Sequence, residues 1–207
     1  MDEKRMVEKL AVQLAPRCRQ VLVHQNLASL TDFKAELERR FGFLPVLNEI
    51  DMILVGPQGE LCAIEAKCFS IRGGSFTRPF YDGIGQSLSL LRYGFDFVAL
   101  WHLFSGDIDQ ARFDRYGAAT WWFIRNQLQL LLDFSYFNVE NDPETPRFIV
   151  MQYDSPSTGA QLTPIDSSNF VVTWKHRNPF VQTEEAQCLR AALVAALGIG
   201  GIVSFEA

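Results

Sequence analysis

Most of the features that announce a function by themselves are missing from this chain. Its 207 residues hold only 4 cysteines, Cys18, Cys62, Cys68 and Cys188, and none forms a Cys-X-X-Cys pair. That spacing argues against zinc modules and disulfide scaffolds, and predicts reduced core thiols in a cytoplasmic protein. The 3 histidines, His24, His102 and His176, lie too far apart to set a histidine metal site. Phosphate loops of the Walker or Rossmann form are absent, since Gly83-Ile-Gly85 is too short, so ATP hydrolysis is not expected. There is also no Gly-X-Ser-X-Gly elbow. No apolar run reaches the ~20 residues of a membrane span. The best one, residues 191–203, carries three glycines and reads as a buried helix followed by a strand. The first ten residues are charged and amphipathic, unlike a signal peptide. Positive charge is scarce: 19 Lys and Arg against 24 Asp and Glu leave a net −5, which excludes a generic polybasic coat for nucleic acid.

What is present is a core. Apolar residues make up 48% of the chain and include 17 Phe and 4 Trp, enough for one sizeable domain and too many for a disordered segment. Met6, Val7, Leu10 and Leu14 recur at helical spacing and stop at Pro16. A short strand is expected near residues 21–27. A second helix follows with Phe33, Leu37 and Phe41 as its seam, with N-cap residues offered by 29–32, and Gly42 and Pro45 close it. Residues 49–55 and 61–68 are rich in β-formers and flank Gly56-Pro-Gln-Gly59, the pattern of an antiparallel hairpin. A Gly- and Arg-containing loop (70–79) leads to a helix over 81–93, with Tyr81, Ile84, Leu88 and Leu91 on one side, and then to an apolar strand at 95–104. A long helix over 116–136, a surface loop at 141–146 and strands at 147–153 and 170–174 complete the expected order. The class is α/β, one domain in which 1–104 forms the core and 105–207 elaborates it.

Ionisable side chains concentrate in the hairpin. Strand alternation puts Glu49 and Asp51 on one face of the first strand and Glu65 and Lys67 on one face of the second, with Ile50, Met52, Ile64 and Ala66 facing the core. The hairpin therefore brings Asp51, Glu65 and Lys67 together. Such groups beside apolar neighbours are costly unless something pairs them, and a divalent metal is the natural partner. Two carboxylates suit Mg²⁺ or Mn²⁺, which contact a phosphate and activate water. An adjacent lysine orients or deprotonates water, or stabilises charge developing on phosphorus. Three further acids are candidates: Glu49, Glu36 on the second helix, and Glu3. On a helical wheel set at Met6, Glu3 falls at about 60°, inside the apolar arc, whereas Glu8 falls at about 200°.

At these residues the chain resembles the PD-(D/E)XK, or restriction-endonuclease-like, nuclease superfamily. Asp51 matches the first acid, with Ile50 where some members have Pro, and Glu65-Ala66-Lys67 matches the second motif. Gln86, in the helix that follows, resembles the glutamine of RecB-type and Holliday-junction-resolvase-like branches. Their usual Gln-X-X-X-Tyr is not reproduced, because position 90 is Leu. The resemblance covers about the first half of the chain. It implies an αβββαβ core with a mixed central sheet, metal ligands Asp51 and Glu65, catalytic Lys67 and Gln86, DNA as substrate, and a homodimer as a frequent assembly. Two rivals stand beside a metal-dependent nuclease: a nucleic-acid-binding or assembly protein with an inactive nuclease-like fold, and a protein-interaction domain.

Charge by segment favours the same region. Residues 1–60 carry 8 cations and 9 anions, residues 61–95 carry 4 and 2, and residues 96–207 carry 7 and 13. The positive bias thus falls on the stretch with Lys67, Arg72, Arg78 and Arg92, where the loop arginines and backbone amides suit phosphates. Trp121-Trp122-Phe123 reads as core or an oligomer interface rather than a base-stacking platform.

Overall fold

In the computed structural model, which describes residues 2–42, 49–105, 108–140, 146–151, 165–166 and 175–200, the elements follow the expected order. The first half runs α1 (Glu3–Leu14), β1 (Gln20–Asn26), α2 (Thr31–Phe41), β2 (Glu49–Val55) and β3 (Leu61–Phe69). A two-strand hairpin, β4 (Ile71–Arg72) and β5 (Ser75–Phe76), precedes α3 (Ile84–Leu90) and β6 (Phe97–Ser105). The second half adds α4 (Gln110–Trp122), β7 (Asp133–Glu140), β8 (Arg147–Met151), β9 (Ile165–Asp166) and α5 (Glu184–Ala196). The strands at 170–174 and past residue 200, and most of the 141–146 loop, fall outside the described residues.

Seven strands form one mixed sheet in the order β1-β2-β3-β6-β7-β8-β9. β1, β2 and β3 are antiparallel neighbours, β3, β6 and β7 run parallel, and β8 and β9 return antiparallel. The three central strands are therefore covered on both faces, which is why β3 and β6 read as near-continuous apolar runs. On one face Met6, Val7, Leu10 and Leu14 of α1 pack onto Met52, Leu54, Cys62, Ile64, Ala66 and Trp101. On the other, α2 and α5 lie together over Ile53, Val55, Leu61, Ala63, Val98 and Leu100. Each such side chain, when fully buried, contributes about 1.5–3 kcal/mol. Ile50 joins this second group rather than the α1 face, because β2 has left its ladder with β3 by that residue.

Three expectations are corrected. The helix over 116–136 is really α4, a single π-helical turn at Phe123–Gln127, and then β7 from Asp133. Packing beside β6 overrides the local helical pattern: Phe137 and Val139 enter the α1-side core, and Tyr136 enters an aromatic cluster with Phe69, Phe104 and Phe113. The helix over 81–93 is confined to α3, since Gly83 takes φ +86 and leaves Tyr81 and Asp82 in a turn. α2 begins after Leu30, with no side chain from 29–32 capping it.

The C-terminal helix is fastened by a buried polar knot that the sequence did not suggest. Arg190 Nη1 lies 2.6 Å from Asp96 Oδ2, and both side chains are less than a tenth exposed. Arg190 also donates to the Gly94 and Gly59 carbonyls, while Asp96 Oδ2 accepts the Leu61 N–H at 2.7 Å. Asn178 Nδ2 donates to the carbonyls of Leu91 and Phe95. Every partner is a turn or strand start, so the knot registers α5 on the rim from which β3 and β6 begin.

Candidate active site

Asp51 stands where the sheet divides. The β2–β3 ladder runs from Val55 opposite Leu61 to Met52 opposite Ile64. One residue further, Asp51 Oδ2 accepts the Ala66 N–H at 2.8 Å. A carboxylate thus takes the amide that a continued ladder would have used, and the splayed strands leave room for side chains between them. Across from Asp51, His24 of β1 sits at φ +52, between the Val23–Met52 and Gln25–Ile50 pairs, so the edge strand is kinked at the same level.

Glu65 and Lys67 share one face of β3, interact electrostatically with Asp51 and are 1% and 6% exposed, so the face expected to be polar is an interior. Lys67 Nζ lies 2.5 Å from Glu65 Oε1. The second oxygen, Glu65 Oε2, is buried and has no hydrogen-bond partner. Glu3, first residue of α1, reaches round the edge of β3: its Oε2 accepts the Cys68 N–H at 2.9 Å, and its Oε1 lies 4.0 Å from Lys67 Nζ. Arg78 closes the group, with Nη2 at 3.2 Å from Glu3 Oε2 and Nη1 at 2.7 Å from Asp82 Oδ2. Beside it opens a cleft of about 550 Å³ lined by Glu3, Cys68, Ser70, Thr77 and Arg78 among others.

Burial sets the electrostatics. Loss of water raises the Asp51 carboxyl above its ordinary range, against the Ala66 N–H and the Lys67 charge, which pull it down. Glu65 is pushed up to about 7, by burial first and by the Asp51 carboxylate next, with Lys67 opposing. For Lys67 burial acts downward, but Glu65, Glu3 and Asp51 together hold it above the ordinary lysine value, so it is an ammonium. His102, opposite Lys67 on β6, is fully buried and held down to about 3, so it is neutral. Its Nε2 lies 3.1 Å from the Asp82 carbonyl, which assigns the proton to that nitrogen.

The raised Glu65 value has a pH consequence. Folded Glu65 keeps a proton that the unfolded chain releases near the ordinary value of about 4.3. The resulting stability is fully present below that value and is lost as pH rises through about 7. In EDTA, the melting temperature should therefore fall between about pH 5 and 8, and Glu65→Gln should flatten the fall. Thermal unfolding across that range checks it, and an unchanged slope in the variant contradicts it.

Gly83 explains how the turn sits so close. A Cβ there would lie 2.6 Å from Leu100 Cδ1 and 3.0 Å from Lys67 Cγ, and the left-handed backbone itself disfavours an L side chain. The turn at 81–83 therefore rests directly on the lysine stem. Gly83 and His102 are the site neighbours that sequence reasoning missed. The only available signal was a glycine-rich turn ahead of α3.

The remaining candidates separate cleanly. Glu3 joins the cluster. Glu49 is held by Lys4 at 2.8 Å and faces His24 Nδ1 at 3.4 Å. Glu36 is bound by Arg39 and Arg40 on the surface of α2, and those hydrogen bonds hold it down to about 2. Gln86 is half-buried in the first turn of α3, and its side chain makes no hydrogen bond to Asp51, Glu65 or Lys67. Of the loop arginines, Arg78 is tied to two carboxylates, whereas Arg72 is exposed on the β4–β5 hairpin.

The donor set fits a hard dication of the Mg²⁺ type. The Asp51 carboxylate raises Glu65, Glu3 raises Asp51, and one buried oxygen, Glu65 Oε2, lacks a donor. Among the described residues no group of three or more His, Cys, Asp or Glu is arranged to hold a metal ion.

Together these features define a mixed α/β domain with a buried acid–lysine cluster at the split edge of its sheet. No family model and no curated protein matches the chain. Among solved structures it is similar to SfsA of Pyrococcus furiosus, determined in complex with Ca²⁺, at 12% identity and a TM-score of 0.35. The match covers 70% of this chain and 62% of that one, and at this TM-score it defines neither fold nor activity. No helix among the described residues is long and apolar enough to cross a membrane.

Proposed function

We propose that this domain is a divalent-metal-dependent nuclease that hydrolyses DNA phosphodiester bonds at Asp51, Glu65 and Lys67. The observation that carries the reading is the buried triad itself, with a donorless Glu65 Oε2 and two carboxyl groups raised by burial. Asp51 and Glu65 would hold Mg²⁺ or Mn²⁺, which supplies positive charge to the phosphoryl oxygen and acidity to the attacking water when bound. The rest falls to the chain. Asp51 is oriented by the Ala66 amide, which fixes one carboxylate oxygen. The Lys67 ammonium, placed by Glu65 and by the turn at Gly83, stabilises charge that develops on phosphorus. Glu3 and Arg78 keep the α1 end against β3 and so shape the mouth of the site.

Incubation of the protein with plasmid, single-stranded, branched DNA and RNA in Mg²⁺, Mn²⁺ or EDTA tests the reading. Metal-dependent cutting of at least one DNA form, absent in EDTA, is expected. No cutting of any substrate by folded protein removes the nuclease and leaves the inactive-fold alternative.

A further inference from the structure

Two residues before the glycine that rests on the Lys67 stem, the structure exposes an aromatic ring. Tyr81 is 53% exposed. It lies two residues, or at most ~7 Å of chain, before Gly83, which rests on the Lys67 stem. Its ring is braced from behind by Phe80, with centroids 5.3 Å apart at 82°, and by Phe123 at 6.4 Å. The backbone of this segment is held by α4: Tyr116 Oη donates to the Arg78 carbonyl at 2.5 Å and Thr120 Oγ1 to the Phe80 carbonyl at 2.7 Å. The turn is thus a rigid shelf rather than a loose loop.

The flank of α4 continues it. Tyr116, Thr120 and Phe123 face the shelf. Arg112, Arg115 and Trp122 fall within about 80° of arc on one side of that face, and all three are exposed, Trp122 by 48%. Of the two readings the sequence offered for Trp122, core or oligomer interface, its exposure removes the first. Arg112 is anchored at the Gly74 carbonyl and over the Phe76 ring, 5.7 Å from its centroid. Two cations followed by an aromatic, leading to a second aromatic beside the lysine, is the arrangement that tracks a phosphate backbone while stacking unpaired bases.

The geometry points to single-stranded nucleic acid, or an unpaired arm of a branched one, as the substrate class, with Tyr81 stacking on a base next to the scissile phosphate. This rests on the nuclease reading. In a continuous duplex each base is already stacked, and exposing it costs a few kcal/mol before Tyr81 gains a partner. An unpaired strand meets no such cost, and successive phosphates can lie along Arg115 and Arg112.

Binding measured by fluorescence anisotropy in EDTA tests this apart from cleavage, with a labelled single-stranded oligonucleotide and the same sequence as a duplex. The wild type should bind the single strand at least about tenfold more tightly. Stacking of the usual strength predicts that Tyr81→Ala weakens single-strand binding by roughly five- to a hundredfold, leaves duplex binding unchanged, and that Tyr81→Phe restores it. Equal affinity for both forms, or a Tyr81→Ala variant that binds the single strand normally or loses both forms alike, overturns the inference. Metal-dependent cutting without any Tyr81 effect would leave the nuclease standing and remove only the stacking shelf. Tyr81-dependent binding without cutting would do the reverse.

Discussion

Lys67→Ala and Asp51→Ala are each expected to lower metal-dependent cleavage by at least about a hundredfold, in protein that remains folded by circular dichroism. The two losses have different origins. Asp51→Ala removes one of two oxygens offered to the cation and frees the Ala66 amide, so raising the metal concentration should recover part of the rate. Lys67→Ala removes the ammonium beside Glu65, whose Oε1 it meets at 2.5 Å. The carboxyl is then buried without its cation and rises further, so more metal should not rescue the variant near neutral pH. Cleavage rates across a Mg²⁺ series distinguish the two patterns. A Lys67→Ala rate within about threefold of wild type contradicts the assignment.

The largest loss of stability is expected far from the site, at the knot under α5. Arg190→Met leaves Asp96 almost fully buried, with only the Leu61 amide donating to its side chain among the described residues. Breaking one side of a buried ion pair typically costs about 3–5 kcal/mol, and about 2–4 °C follows from each kcal/mol in a chain of this size. The melting temperature should therefore fall by roughly 10 °C. The double variant Asp96→Asn, Arg190→Met should regain part of this, because no unpaired charge remains. Thermal unfolding of the wild type, Arg190→Met, Asp96→Asn and the double variant checks it. Strict additivity of the two single losses would show that the pair is not coupled.

The first half was legible because its signals are local. Glu49–Val55 and Leu61–Phe69 carry β-formers across a Gly-Pro turn, and alternation alone puts Glu65 and Lys67 side by side. The helical wheel also separated Glu3 from Glu8, and Glu3 does reach the cluster. What failed was set by the tertiary environment. The 116–136 segment has helix-compatible composition throughout, and only a place beside β6 turns its end into β7. Alternation suggested a polar face for Glu65 and Lys67, yet the parallel partner β6 and the turn at Gly83 cover them. Burial is what raises Glu65 and Asp51, and no spacing rule reports it. Tyr81 read as part of a helix seam and became an exposed rim residue, because Gly83 delayed the helix by three residues.

Calorimetric titration of the protein with Mn²⁺, wild type against Asp51→Asn and Glu65→Gln, tests the central claim most directly. Saturable heat in the wild type, a melting temperature that rises with added Mn²⁺, and loss of both in each variant are the predicted results, since an ion bound only by the folded state must stabilise it. A wild type that takes up no Mn²⁺, or binding that survives both substitutions unchanged, contradicts a metal site at the split of the sheet.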